Sequence, residues 1–470
     1  MNTSSYPQAD DAGQNQRPTL VAIILVIFLA AIDGTVMSTL LPTIADALGD
    51  RDLYPWIMSG FFLPLALIAP LSGALADRFG ALRVLVFGIV LFLTASIAAA
   101  ISPSLPCLIA ARVAQGAGAG VIIVLSYTLL AILYGPDQRG RMQGLLSGVW
   151  GLAAIFGPLL GASLSITLGW RWVFWINLPI GLVAMILLIR TKLPAKRATR
   201  ATIAPVIQML LAVAVCGVLI TLTAAGQHGA KLIELVAGVC GILAFLALLW
   251  KIRQSPKQSP VPVQFFQRKD LGAAIILILL GSAGLYASVT LLPFSLHAQG
   301  RSALHIGLYI MVAALGWVMG STLCGLSLKR YGYRMPSFLG AVILAVGTAG
   351  LGLAATTGNV VFVAGSECLL GLGVGLLATA TLVLSQNAAP KAHVGSYTST
   401  VQLFRNLGAA FGVNAIAVIQ FHSSARAGSF ALSFSLLAIL MALSIPLSLL
   451  LPRNYALIAD QRASYPPSSE

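Results

Sequence analysis

Fourteen apolar runs succeed one another between Leu20 and about residue 451. Each approaches or exceeds the ~20 residues that carry an α-helix across a bilayer core. The first spans 20–44 and the last 430–451. The runs are continuous rather than alternating polar and apolar, so they predict helices and not the strands of a membrane barrel. A chain with this pattern must satisfy its backbone inside each segment. Composition agrees, with only 9% charged residues and 58% hydrophobic ones, where a soluble domain carries about 25% charged.

The net charge of +15 has no basic arm or aromatic–basic motif beside it, so nucleic acid is not expected as a partner. Loop asymmetry explains the charge. With the N-terminus inside, 21 of the 28 Lys and Arg fall in inner segments and 5 in outer loops. That bias predicts a multi-pass protein of the bacterial cytoplasmic membrane with both termini cytoplasmic. Arg112 and Arg405 complete the count and lie within spans. The run from Leu20 is longer than a signal-peptide core and is interrupted by Asp33, so it is read as a retained first helix. The polar ends, 1–18 and about 456–470, read as disordered tails.

One helix design is used twice. Arg112 is followed by Gly116, Gly118 and Gly120, and Glu367 by Gly371, Gly373 and Gly375. The spacing is identical, at an offset of 255 residues. Gly140, Phe156 and Gly157 map to Gly395, Phe411 and Gly412 at that same offset. Asp77-Arg78-Phe79-Gly80 resembles Lys329-Arg330-Tyr331-Gly332 at an offset of 252. The chain therefore divides into a tail (1–19), a six-helix half (20–190), an inserted pair with basic flanks (191–270), a second six-helix half (271–452) and a tail (453–470). The inserted runs, 203–225 and 232–252, have no partner in the repeat. Parallel halves of this kind are a transporter signature.

The motifs resemble those of the major facilitator superfamily, in its fourteen-helix drug:proton antiporter branch. Gly73-Ala-Leu-Ala-Asp77-Arg78-Phe-Gly80-Ala-Leu-Arg83 resembles the loop motif between helices two and three. Ala111-Arg112-Val-Ala-Gln115-Gly116 resembles the fourth-helix motif, and Gly157-Pro158-Leu-Leu-Gly161 the fifth-helix antiporter motif. Gly169-Trp-Arg171-Trp-Val-Phe-Trp-Ile-Asn177-Leu-Pro179 is similar to the entry into helix six, and Ile32-Asp33-Gly-Thr35-Val to the first-helix motif. The resemblance covers about residues 20–452. It implies a major facilitator fold with about fourteen helices, exporting lipophilic cationic drugs or antiseptics in exchange for protons. It also implies that Gly73, Asp77, Arg78, Gly80 and Arg83 latch one access state, and that Gly157, Pro158 and Gly161 shape the seam between halves.

Charges inside spans are functional hypotheses by default. At 1.5 Å per residue, Asp33 and Arg112 both fall in the outer half of a ~30 Å core, level with each other. They are read as a titrating pair, with Glu367 as a further proton or substrate site and Arg405 as its counter-charge or an attractor of anions. Asp33 and Glu367 are also expected to touch substrate. Trp150, Phe156, Tyr286 and Trp317 are candidates for an aromatic pocket that takes flat cations. The five cysteines lack zinc-type spacing and read as packing residues. No metal site, no nucleophile–base set and no Walker motif is seen, and Gly116-Ala-Gly118-Ala-Gly120 lacks the context of a dinucleotide loop. An enzyme is not expected, and neither is a cofactor; the proton motive force is the expected energy source. The partners expected are protons, a small-molecule substrate and lipid, around a monomer. Two other readings stay open: a dedicated exporter of one metabolite, peptide or siderophore, and a membrane receptor or scaffold that does not transport.

Overall fold

The computed structural model describes residues 9–49, 55–191, 205–225, 231–255, 261–298, 303–390, 393–423 and 429–454. The chain termini and parts of the basic flanks of the inserted pair lie outside those residues. The described chain is helical, with no strand.

The first half holds α1 (Ala9–Leu48), α2 (Pro55–Phe79), α3 (Ala81–Ala100), α4 (Leu105–Leu133) and α5 (Pro136–Thr167). Its last span is bent into α6 (Trp172–Trp175) and α7 (Asn177–Ile189). The inserted hairpin is α8 (Pro205–Ala225) and α9 (Lys231–Gln254). The short α10 (Gln264–Gln267) leads into the second half: α11 (Lys269–Ala298), α12 (Ala303–Tyr331), α13 (Arg334–Thr357), α14 (Val360–Ala388) and α15 (Val394–Ser423). A last bent span is α16 (Ser429–Ala442) with α17 (Ser444–Ser448). Eleven helices hold a described window long and apolar enough to cross a membrane. The helices α5, α8 and α15 are 32, 21 and 30 residues long, and none of the three contains such a window among its described residues.

One expectation is corrected at the N-terminus. Residues 9–18 are not a disordered tail, because α1 begins at Ala9. Once a long apolar helix is nucleated, each added residue costs little.

Glycine and proline punctuate the spans where the physics requires it. Gly80 turns α2 into α3 at φ 92°, a region that L-residues with a Cβ avoid. Pro106 and Pro136 open α4 and α5, where the missing N–H is not needed.

The repeat found in the sequence is a packing repeat. In α4, Gly116 lies on the backbone of Phe61 in α2, Gly118 on Gly88 and Phe92 in α3, and Gly120 on Leu65 in α2. In α14, Gly371 lies on Ala313 in α12, Gly373 on Gly340 and Leu344 in α13, and Gly375 on Trp317 and Ser321 in α12. Each glycine removes the side chain that would hold two backbones apart. Residues two apart on a helix point in very different directions, so successive glycines address the two neighbouring helices in turn.

The two halves meet through α2 with α15 and α5 with α12. At the end of the bundle that carries the Asp77–Arg83 loop, the basic end, both crossings set a glycine of the first half against the backbone of the second. The hairpin α8–α9 crosses at Gly217 and Gly241. Its α8 rests on α15 and α2, while α9 packs on α8, and only 17% of the α9 apolar window is buried.

Candidate functional site

Three groups of polar residues stand out in this apolar bundle. The first is a closed cluster inside the first half. Asp33 (α1) and Arg112 (α4) are 1% and 0% exposed. Arg112 Nη1 donates to Asp33 Oδ2 at 2.5 Å and to Gln115 Oε1 at 2.7 Å. Gln115 Nε2 donates to Asp33 Oδ1 at 3.0 Å and to Ser96 Oγ (α3) at 2.9 Å. Asn177, at the bend between α6 and α7, donates to Asp33 Oδ1 and Ser96 Oγ at 3.3 Å each. Arg112 Nε reaches Ile57 O at 3.4 Å, and the guanidinium lies 4.2 Å from the Phe61 ring centroid. A buried ion pair needs further hydrogen bonds to its atoms; Gln115 and Asn177 supply them to Asp33 and are themselves held by Ser96, while Arg112 Nη2 has no partner.

The Asp33–Arg112 contact follows the depth arithmetic of the sequence, but its orientation differs from the expectation. The pair faces α3, α4 and α7 of its own half rather than a central cavity, so Asp33 is not placed to touch a substrate in this conformation. Gln115 and Asn177 stand inside motifs legible in the sequence and went unassigned. Ser96 is one serine in an apolar run and gives no signal.

The second group is a pocket between the halves. Its walls come from α4, α5, α11, α12, α14 and α15. Among them are Tyr127, Gln143, Trp150, Trp317, Thr379 and Arg405. The free space is about 10 Å³, room for about one water. Arg405 is 9% exposed and lies 4.6 Å from the Trp317 ring centroid and 5.9 Å from that of Trp150. The two tryptophans therefore already hold a cation, and it belongs to the protein.

Three expected pocket residues lie elsewhere. Phe156 is 48% exposed, because six residues from Trp150 rotate it about 120° away around α5. Tyr286 packs against the second half's core, about 12 Å along α11 from Ile278 of the pocket. Glu367 is fully buried within the second half, about 18 Å along α14 from Thr379. Neither of its carboxyl oxygens has a hydrogen-bond partner. Arg405 is thus not its counter-charge.

The third group closes the basic end. Asp77 accepts from the backbone N–H groups of Gly395 (3.2 Å) and Ser396 (3.0 Å) and from the Ser396 hydroxyl. A carboxylate of the first half thus caps the first turn of α15 in the second, where the helix dipole favours it. Gly73 makes the crossing possible, since a Cβ there would collide with Ser399 and the Gly395 carbonyl. The repeat-related crossing sets Gly140 of α5 against Gly325 of α12. There Lys329 takes the place of Asp77 and lies 3.5 Å from Asp137, in an exposed pair of little energetic weight. Arg139 adds a link missing from the sequence reading. Its guanidinium donates to Ala131 O at the end of α4 and, across the seam, to Gln386 O (2.8 Å) and Asn387 Oδ1 (2.6 Å) of α14.

The other expected gating residues sit outside this seam. Arg78 and Arg83 are exposed, and Arg78 stacks on Phe79. Gly157 packs on Thr35 of α1, within the first half, and Thr35 Oγ1 donates to Ala153 O at 3.0 Å. Gly161 is buried on α5, and the side chain of Pro158 lies outside the described ones.

Comparison with known proteins agrees with this architecture. Multidrug transporter protein MdtP of Bacillus subtilis (strain 168) is 27% identical over 426 residues, covering 88% of this chain and 77% of its own. Multidrug resistance protein 3 of the same organism is 24% identical over 422 residues, covering 89% and 81%. The crystal structure of the human organic anion transporter MFSD10 (TETRAN) superposes with a TM-score of 0.68 at 18% identity, covering 92% of this chain and 99% of that one. These relatives are transporters and not enzymes. The sequence profile of the Major Facilitator Superfamily matches residues 23–413, and the chain belongs to that family.

Proposed function

We propose that this transporter is a proton-coupled antiporter that exports lipophilic small molecules from the cytoplasm by alternating access. The observation that carries the reading is the Asp33–Arg112 pair, sealed inside a membrane-spanning half, with both carboxylate oxygens of Asp33 hydrogen-bonded. Ionised, Asp33 balances Arg112. Protonated, it leaves a buried cation uncompensated, and the packing of α1, α3, α4 and α7 must change. A proton then biases one of two arrangements, which is what a coupling ion has to do.

The pocket is walled by both halves, so rocking one half over the other opens it to one side or the other. Asp77 at the head of α15 and Arg139 against α14 hold the basic end shut when the outer end is open. Glu367 is a second candidate proton carrier, related to Arg112 by the repeat. The loop charge bias supports a bacterial cytoplasmic membrane with the basic end inside. The similarity to two multidrug proteins supports efflux of more than one compound.

The test is a growth panel. An efflux-deficient bacterium expressing the chain is challenged with antiseptics, dyes and antibiotics, with and without collapse of the proton gradient. Protection against several unrelated compounds that vanishes with the gradient is expected. Protection confined to one compound would favour a dedicated exporter, and protection that survives collapse of the gradient would exclude proton coupling.

A further inference from the structure

The central pocket has a chemical bias that the family resemblance does not carry. The cationic drugs expected from the sequence would need free aromatic faces or an acid. No acid lines the pocket. The two carboxyl groups buried within the halves' apolar interiors are remote from it: Asp33 is bound to Arg112, and Glu367 lies about 18 Å away along α14. The faces of Trp150 and Trp317 are turned to Arg405.

What the pocket offers instead is hydrogen-bond donors without acceptors. Arg405 is only 9% exposed and has neither a hydrogen bond nor a carboxylate partner among the described residues. Trp150 Nε1 and Thr379 Oγ1 are buried and unpartnered too, and both residues line the same space. An unsatisfied buried polar group is costly, and two of them beside a guanidinium with no anion, all lining one space between the halves, call for a shared acceptor. A guanidinium, an indole N–H and a hydroxyl together match a carboxylate: the guanidinium offers a fork for two oxygens, and the others can take the remaining lone pairs. The tryptophan rings would flank an apolar body attached to it.

We infer that the pocket between the halves is a site for lipophilic aromatic anions, with Arg405 as the group that recognises the carboxylate. The inference rests on the transport reading above only for the pocket's opening. In this conformation the space admits about one water, and a ligand enters when the halves part.

The test uses three naphthalene probes of matched size: 2-naphthoate, 2-naphthamide and 2-naphthylmethylammonium. Binding to the purified full chain is measured by equilibrium dialysis, with protein-free micelles as the partition control. Wild type is expected to bind naphthoate at least about tenfold more tightly than either other probe. Arg405→Gln should erase that preference, leaving the amide's affinity within about threefold of wild type. Arg405→Lys should keep part of it, because the charge remains while the fork is lost. The inference is overturned by a preference for the ammonium, by naphthoate preference surviving in Arg405→Gln, or by no saturable naphthoate binding to folded wild type. None of these outcomes depends on proton coupling, so loss of coupling in the growth panel and loss of anion preference here are separate results.

Discussion

Arg112 and Glu367 occupy equivalent places on α4 and α14, yet Arg112 is bound to Asp33 and Gln115 while Glu367 has no partner for either oxygen. The halves share a scaffold of glycine contacts and differ in the charge it encloses. In the first half the acid on α1 faces the arginine. In the second, alignment of the Leu-Leu-Pro ends of α1 and α11 sets Gly284 where Asp33 stands, and Met441 fills the space beside it.

This difference predicts unequal costs for removing the two charges. Arg112→Gln leaves the Asp33 carboxylate buried without its cation, and breaking a buried pair costs about 3–5 kcal/mol. Glu367→Gln removes no ion pair and no hydrogen bond, so stability should stay within about 1 kcal/mol of wild type. Thermal unfolding of both variants in one detergent checks this. An equal drop in Tm for the two would mean that Glu367 has a charged partner in the folded protein.

Closure of the basic end should depend on Asp77 and Gly73. Asp77→Ala removes the cap on α15, a loss of about 0.5–2 kcal/mol, and Gly73→Val places a side chain against Ser399 and the Gly395 carbonyl. Both should raise the fraction of molecules open at that end, with Gly73→Val having the larger effect. The readout is the rate at which a membrane-impermeant maleimide reaches a cysteine placed by Gln143→Cys in the pocket wall. An unchanged rate in both variants would remove the seam from the gating scheme.

The hairpin α8–α9 should take no part in substrate binding. Its exposed face, with Leu235, Ile242, Phe245 and Trp250, is suited to lipid, and none of its described residues lines the pocket. With the other four cysteines replaced by serine, Cys240 on α9 should react with a hydrophobic maleimide at the same rate with or without a compound identified by the growth panel. Protection by several such compounds would place the hairpin at the binding site.

Much of the scaffold was legible in the sequence because it rests on periodic signals. Apolar runs of membrane length and a glycine spacing used twice each repeat along the chain. The Asp33–Arg112 pair was legible too, since depth follows from counting residues along two helices. What escaped was the direction each side chain faces. Phe156 sits near Trp150 in sequence and turns elsewhere on α5. Asp33 was expected to touch substrate and turns into its own half. Ser96 is an isolated residue with no pattern around it. Arg139 was counted only as one of many loop cations, and the two oxygens it binds on α14 are 247 and 248 residues away. Contacts at that separation leave no local trace.

The central claim is that Asp33 carries the coupling proton. Asp33→Asn keeps the size of the side chain and removes its charge. Its most direct test is proton release from the purified full chain, followed with a pH indicator in weakly buffered detergent as a transported compound is added. Wild type should release protons on binding, and Asp33→Asn should bind the compound and release none. Equal release by the two proteins would contradict the account and pass the role to Glu367.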